Sequence, residues 1–165
     1  SAEQKIDKID LNEIIDNIES DLELLIQQKQ AEISRANLPE IEGADVLIHQ
    51  LFYNLINNAL KFSRNDVATV IEIKSTLELN EDGKQWVKIT VSDNGIGIDP
   101  IFSEKIFNVF SRLNAKDDYE GTGLGLALCK KIVERHHGTV SATGTRGENT
   151  TFTIFLPQHQ AQEIL

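Results

Sequence analysis

Two glycine clusters, D-N-G-I-G-I (Asp93 to Ile98) and G-T-G-L-G-L (Gly121 to Leu126), come after an asparagine-rich stretch, N-L-I-N-N-A-L-K (Asn54 to Lys61). Glycine pairs let backbone come close to a neighbour or a ligand, because no Cβ intervenes and positive φ is cheap. One G-x-G would mark no more than a turn. Three motifs in this order are a different matter, and bare N–H groups in succession suit phosphate.

The surrounding periodicity says what carries them. Asp10 with Glu13 reads as a capping box, and Leu11, Ile14, Ile15, Ile18, Leu22, Leu25 and Ile26 recur at helical spacing. A short strand is expected across Ala31, Ile33 and Arg35, then a loop from Asn37 to Gly43 around Pro39. The second helix is predicted from Ala44 to Phe62, with Leu47, Leu51, Leu55, Ala59 and Phe62 buried and Asn54, Asn58 and Lys61 along one edge. Asparagine prefers caps and turns to helix interiors, so three of them at 54, 57 and 58 need a reason.

Val67, Thr69, Ile71 and Ile73 alternate with polar residues, as do Val87, Ile89 and Val91, which predicts two antiparallel strands with one buried face. Asp93 continues the second row and should therefore point inward, where an unpaired charge is costly. It can bond its own turn as an Asx residue, or it can meet a donor from a ligand.

A short helix is expected from Ile101 to Leu113 and a mobile polar stretch from Asn114 to Glu120. A third long helix should run from Thr122 or Gly123 to His136 or His137, capped by Gly138. Strands Thr139 to Thr143 and Thr150 to Leu156 close the domain, and Gln158 to Leu165 reads as a tail. The elements segregate into an α+β pattern, a two-layer sandwich of one mixed, mostly antiparallel sheet with three main helices on one face.

At 165 residues the chain fits a single domain. Its net charge of −10 argues against general nucleic-acid binding, so a polyanion must be met locally. Lys61, Arg64, Arg112, Lys116 and Lys130 lie in or beside the motifs and could supply that positive potential. No apolar run approaches the roughly 18 residues of a membrane span. The single cysteine, Cys129, excludes an internal disulfide and sits in an apolar helical segment, which together fit a cytoplasmic setting and a core thiol.

On these motifs the chain resembles, from about Asp10 to Pro157, the ATP-binding catalytic domain of two-component sensor histidine kinases. Their superfamily also holds type II topoisomerase ATPase subunits, the heat-shock-90 chaperone and mismatch-repair ATPases. The resemblance implies a catalytic domain over 1–157 with a tail over 158–165, ATP and Mg²⁺ as cofactors, and no membrane contact by this domain. It implies that Asp93 reads the adenine amine, that Gly95, Gly97 and Ile98 let the backbone approach the base, and that Asn58 binds Mg²⁺ through its amide oxygen, with Asn54 one turn before it. Lys61 and Arg112 would face the phosphates. Gly121, Thr122, Gly123, Leu124, Gly125 and Leu126 would cradle them at a helix N-terminus, although the same glycines suit a hinge. Thr151 would close the site from the last strand.

Two departures stand out. Gly147-Glu148-Asn149-Thr150-Thr151 is an imperfect third glycine box, and His137 stands where a glycine is common.

ATPases and serine kinases of the superfamily carry a glutamate where this chain has Asn54, and an amide cannot take a proton at neutral pH. Neutral imidazole is already nucleophilic, so transfer to histidine can proceed without that base. His49, His136, His137 and His159 match no acceptor box. The resemblance thus implies a monomeric catalytic half that phosphorylates a histidine on a separate dimerisation domain, with a response regulator downstream. An ATPase or conformational switch, and a non-catalytic nucleotide-binding module, are the alternatives.

Overall fold

A computed structural model describes residues 5–108 and 124–160. The expected stretch 114–120 and the site residues Arg112, Gly121, Thr122 and Gly123 lie outside the described residues, as do Lys116 and the end of the 101–113 segment.

The chain runs through β1 (Asp7–Asp10), α1 (Leu11–Asp21), α2 (Glu23–Lys29), β2 (Glu32–Arg35), β3 (Glu40–Gly43), α3 (Asp45–Lys61), β4 (Val70–Leu79), β5 (Gln85–Asp93), α4 (Leu124–Arg135), β6 (Thr139–Thr145) and β7 (Asn149–Pro157). Five strands form one sheet in the order β2-β4-β5-β7-β6, parallel between β2 and β4 and antiparallel elsewhere. This is the α+β, mixed-sheet architecture that the sequence pattern predicts.

Helices cover the face bearing Ile71, Ile73, Val87, Ile89, Val91, Phe152, Ile154 and Leu156, all fully buried. The α3 helix lies between α1, α4 and β5, so it buries a broader stripe than expected. Ile48, Phe52, Ile56 and Leu60 join Leu51, Leu55 and Ala59 in the core, while Leu47 and Phe62 are half-buried. Each central apolar side chain removed from water contributes about 1.5–3 kcal/mol, and this shared layer holds the helices to the sheet.

Several expectations are corrected. The first helix divides at Leu22, which is buried and keeps its N–H on the Ile18 carbonyl at φ −100°. Asp10 caps α1 through Asn12 N–H at 2.9 Å. The segment expected as loop before Gly43 contains β3, antiparallel to β1 with Ile9 opposite Ile41. Four-residue strands with one buried side chain each present too short an alternation to be seen. Val67 is exposed and precedes β4; the buried row starts at Thr69, just ahead of the strand, and continues through Ile71 and Ile73.

The described part of the expected 101–113 helix is two 3₁₀ turns, Pro100–Phe102 and Lys105–Phe107. The left-handed residue closing α4 is His137, at φ 64°, not Gly138. Gly138 donates to the Val133 carbonyl at 2.9 Å, and a Cβ there would overlap the Phe155 carbonyl. It is glycine for close approach to β7. Beyond β7, Gln158 and Gln160 are hydrogen-bonded back to Glu40, Glu42 and His136.

Candidate functional site

The β5 strand delivers Asp93 to the edge of the core. Its alternation of buried positions, Val87, Ile89, Val91 and then Asp93, places the carboxylate on the helix-covered face at 9% exposure. Its Oδ1 accepts the Gly95 N–H at 2.9 Å, so the Asx-turn role is real. Burial nonetheless dominates that bond and pushes the Asp93 pKa up to about 6. Among the described residues the Gly95 N–H is the one donor to that carboxyl, which leaves it acceptor capacity to spare.

The turn after Asp93 is held by backbone on three sides. Ile96 N–H donates to the Phe62 carbonyl at 3.0 Å, and Gly147 N–H donates to the Ile96 carbonyl at 2.6 Å. A Cβ on Gly95 would stand 2.5 Å from the Phe62 oxygen, and one on Gly97, at φ 75°, would overlap the Thr145 carbonyl. Both glycines are therefore demanded by packing of the turn itself. Ile98 is buried beneath them, against Gly144.

The α3 helix touches both glycine clusters. Its C-cap, Phe62, supplies the carbonyl that holds the first, and Asn54 Nδ2 reaches the Gly125 carbonyl of the second at 3.4 Å. Asn54 Oδ1 accepts from Gln50 Nε2 at 2.7 Å, so the mid-helix amide bridges α3 to the start of α4. Asn58, one turn on, is half-buried. Lys61 is exposed, with Nζ 5.5 Å from the Phe62 ring centroid. Asn54 thus has a structural reason for its place in the helix interior.

At the second cluster, Gly125 is exposed and a Cβ there would meet nothing within 4 Å among the described residues. Leu126 is buried in the core. The Cys129 thiol is fully buried, 3.7 Å from the Leu51 carbonyl, and burial pushes its pKa up to about 12, as befits a core residue.

Two placements differ from expectation. Thr151 lies on the sheet face opposite Asp93, its hydroxyl 2.9 Å from Ser92 Oγ, because one step along a strand reverses the side chain. Thr150 is the residue of β7 on the side of Asp93, directly across from it and buried. Arg64, expected as loose positive potential, has its guanidinium on the backbone carbonyls of Asn94 and Gly147. The alternation of Phe152, Ile154 and Leu156 puts Thr150, and not Thr151, on the inward row, whereas spacing carries no signal for the bonds of Arg64.

The family described as histidine kinase-, DNA gyrase B-, and HSP90-like ATPase matches residues 43–160. The chain is 40% identical over 148 residues to the phytochrome-like protein Cph1 of Synechocystis, covering 90% of this chain and 19% of that protein. It is 35% identical over 161 residues to the adaptive-response sensory-kinase SasA of Prochlorococcus marinus, covering 94% of this chain and 41% of that one. The chain thus spans less than half the length of either relative.

Among solved structures, the nucleotide-free catalytic domain of histidine kinase ThkA superposes with a TM-score of 0.77 at 24% identity, over 95% of this chain and 98% of that one. Full-length ShkA in complex with AMPPNP gives 0.79 at 24% identity, over 99% of this chain and 33% of that one. Those two likenesses concern the fold. With the family match spanning α3, both glycine clusters and the closing strands, this chain belongs to the histidine kinase-, DNA gyrase B- and HSP90-like ATPase family.

Proposed function

We propose that this domain binds Mg·ATP and donates the γ-phosphoryl group to a histidine on a separate helical dimerisation domain of a sensor kinase, with a response regulator downstream. The observation that carries this reading is the seat of α3 between the two glycine clusters, bonded to one through Phe62 and to the other through Asn54. A ligand held by both would lie along the Asn54–Asn58–Lys61 edge, its base at Asp93 and its phosphates at the start of α4, where the helix dipole favours anions.

In this reading the Asp93 carboxylate accepts the adenine exocyclic amine, a donor that guanine does not present at that position. Asn58 offers an amide oxygen on the same helix edge, and one such ligand with phosphates and waters suits magnesium. The metal would supply charge neutralisation at the phosphates. Lys61 would add a point charge there.

Asn54 favours phosphotransfer to histidine over hydrolysis. Its amide has no basic site and is already engaged with Gln50 and Gly125, so it cannot activate water. The isolated domain should therefore bind Mg·ATP and scarcely consume it. Mixing it with the helical domain of its own kinase should yield acid-labile phosphohistidine on that partner, and Asn58→Ala should abolish the transfer. Rapid hydrolysis by the domain alone would replace this reading with an ATPase.

A further inference from the structure

We propose that Arg64 is a positioning residue for the base-reading turn, an inference that rests on the assignment of Asp93 to adenine. Arg64 lies just past α3 and is partly buried, its side chain 26% exposed. Nε donates to the Asn94 carbonyl at 3.0 Å and Nη1 to the Gly147 carbonyl at 2.9 Å. Asp66 Oδ1 lies 3.9 Å from Nε.

These two carbonyls belong to different loops. Asn94 is the residue immediately after Asp93, and its own carboxamide is fastened to the entry of β4, accepting from Val70 N–H at 2.8 Å and donating to the Ala68 carbonyl at 2.9 Å. Gly147, at φ 83°, is the tip of the β6–β7 turn, and its N–H bonds the Ile96 carbonyl. One planar guanidinium therefore ties three segments that wall the Asp93 turn: the α3–β4 connection, the Asp93-to-Ile98 turn and the β6–β7 turn.

The fork matters. Two donors at a fixed angle can serve two carbonyls at once, whereas a lysine ammonium in the same place is a strongly hydrated point charge on a flexible stem. Hydrogen bonds from a charged donor are the stronger kind, and both acceptors here are backbone groups of loops. Without the fork, the Asp93 turn loses its lateral tether, and the carboxyl would sample orientations that miss a bound base. The phosphate end, at α4, makes no bond to Arg64 among the described residues. The effect should therefore fall on recognition of the base.

The test compares Mg·ATP, Mg·GTP and Mg·tripolyphosphate by titration calorimetry against the unmodified domain, Arg64→Ala, Arg64→Lys and Asp93→Asn, with thermal melting of each unliganded protein. Expected for both Arg64 variants is a loss of about tenfold in ATP affinity, a smaller ATP-over-GTP preference, and tripolyphosphate affinity within about twofold of the unmodified domain. Methylguanidinium added to Arg64→Ala should recover part of the ATP affinity. Parallel loss of ATP and tripolyphosphate binding would overturn the proposal, since it would make Arg64 a phosphate ligand or a general scaffold. So would unchanged ATP binding in Arg64→Lys, a variant that retains the charge and the fold. If Asp93→Asn weakens ATP while the Arg64 variants do not, the base assignment stands and the positioning role falls. If Asp93→Asn leaves ATP binding untouched, the base assignment fails and takes the positioning role with it.

Discussion

Thr150 stands directly across the β5–β7 ladder from Asp93, and both side chains are buried on the helix-covered face. Cross-strand partners have Cβ atoms about 5 Å apart, within reach of one bridging water or one ligand group. Thr150→Val keeps shape and removes the hydroxyl, so it should lower ATP affinity by about three- to tenfold with little change in melting temperature. Thr151→Val, on the opposite face, should leave ATP affinity unchanged and cost about 1 kcal/mol through the lost Ser92 bond. Calorimetric titration and urea melts of the two variants check the assignment of faces, which equal effects on binding would refute.

Burial raises the Asp93 pKa from 3.8 to about 6, and that shift has two consequences of opposite sign. The folded, unliganded domain binds this proton more tightly than the unfolded chain does. Its stabilising contribution is thus complete below pH 3.8 and is lost as pH rises through 6. At pH 8 the buried charge therefore costs up to about 3 kcal/mol, and Asp93→Asn should stabilise the unliganded domain there and much less at pH 4. An amine donor needs the carboxylate, so ATP binding should weaken below pH 6 and release a proton on association. Calorimetry at pH 5.5 in buffers of different ionisation enthalpy measures that proton, and no buffer dependence would contradict the base-reading role.

His136 is fully buried at the end of α4, where its Nε2 accepts the Ala44 N–H at 3.0 Å and its Nδ1 lies 2.8 Å from the Ile132 carbonyl. That pairing fixes the proton on Nδ1. Burial is the largest cause and holds the pKa below 6.5; the bond to Ile132 pulls the other way, and the charges of Arg135 and His137 add smaller downward pushes. The unfolded chain binds this proton more readily, so His136 contributes stability in full above pH 6.5 and loses it as pH falls through the folded value. His136→Gln can still accept from Ala44 but does not titrate. The urea midpoint of the unmodified domain should drop relative to His136→Gln between pH 7 and pH 5. His136→Ala, which strands the Ala44 N–H and leaves a cavity, should cost about 3 kcal/mol at pH 7.5.

Gly97 and Gly125 respond to alanine in opposite ways. Gly97 sits at φ 75° against the Thr145 carbonyl, so Gly97→Ala should destabilise by about 2 kcal/mol or more. Gly125 is helical, exposed and clear of neighbours among the described residues, so Gly125→Ala should stabilise the unliganded domain by about 0.5–1 kcal/mol. If its bare backbone is there for phosphate, the same variant should bind ATP more weakly. A Gly125→Ala domain with higher melting temperature and unchanged ATP affinity would remove Gly125 from the site.

Periodicity is a local property, and its consequences are legible in the chain. The alternation through Val87, Ile89 and Val91 sends Asp93 inward whatever else the sheet does, and the helical repeat bounds α3 to within one residue of its ends, Asp45 and Lys61. Family likeness in three ordered motifs carries the rest of the nucleotide reading. Pairing across distance is another matter. Nothing local says that Glu40–Gly43 finds Asp7–Asp10, that Thr150 lands directly across from Asp93, or that Arg64 spans two turns. Each depends on strand register or on loop approach. Those are set when segments far apart in sequence bury their apolar faces together, and a one-residue change of register would reverse them.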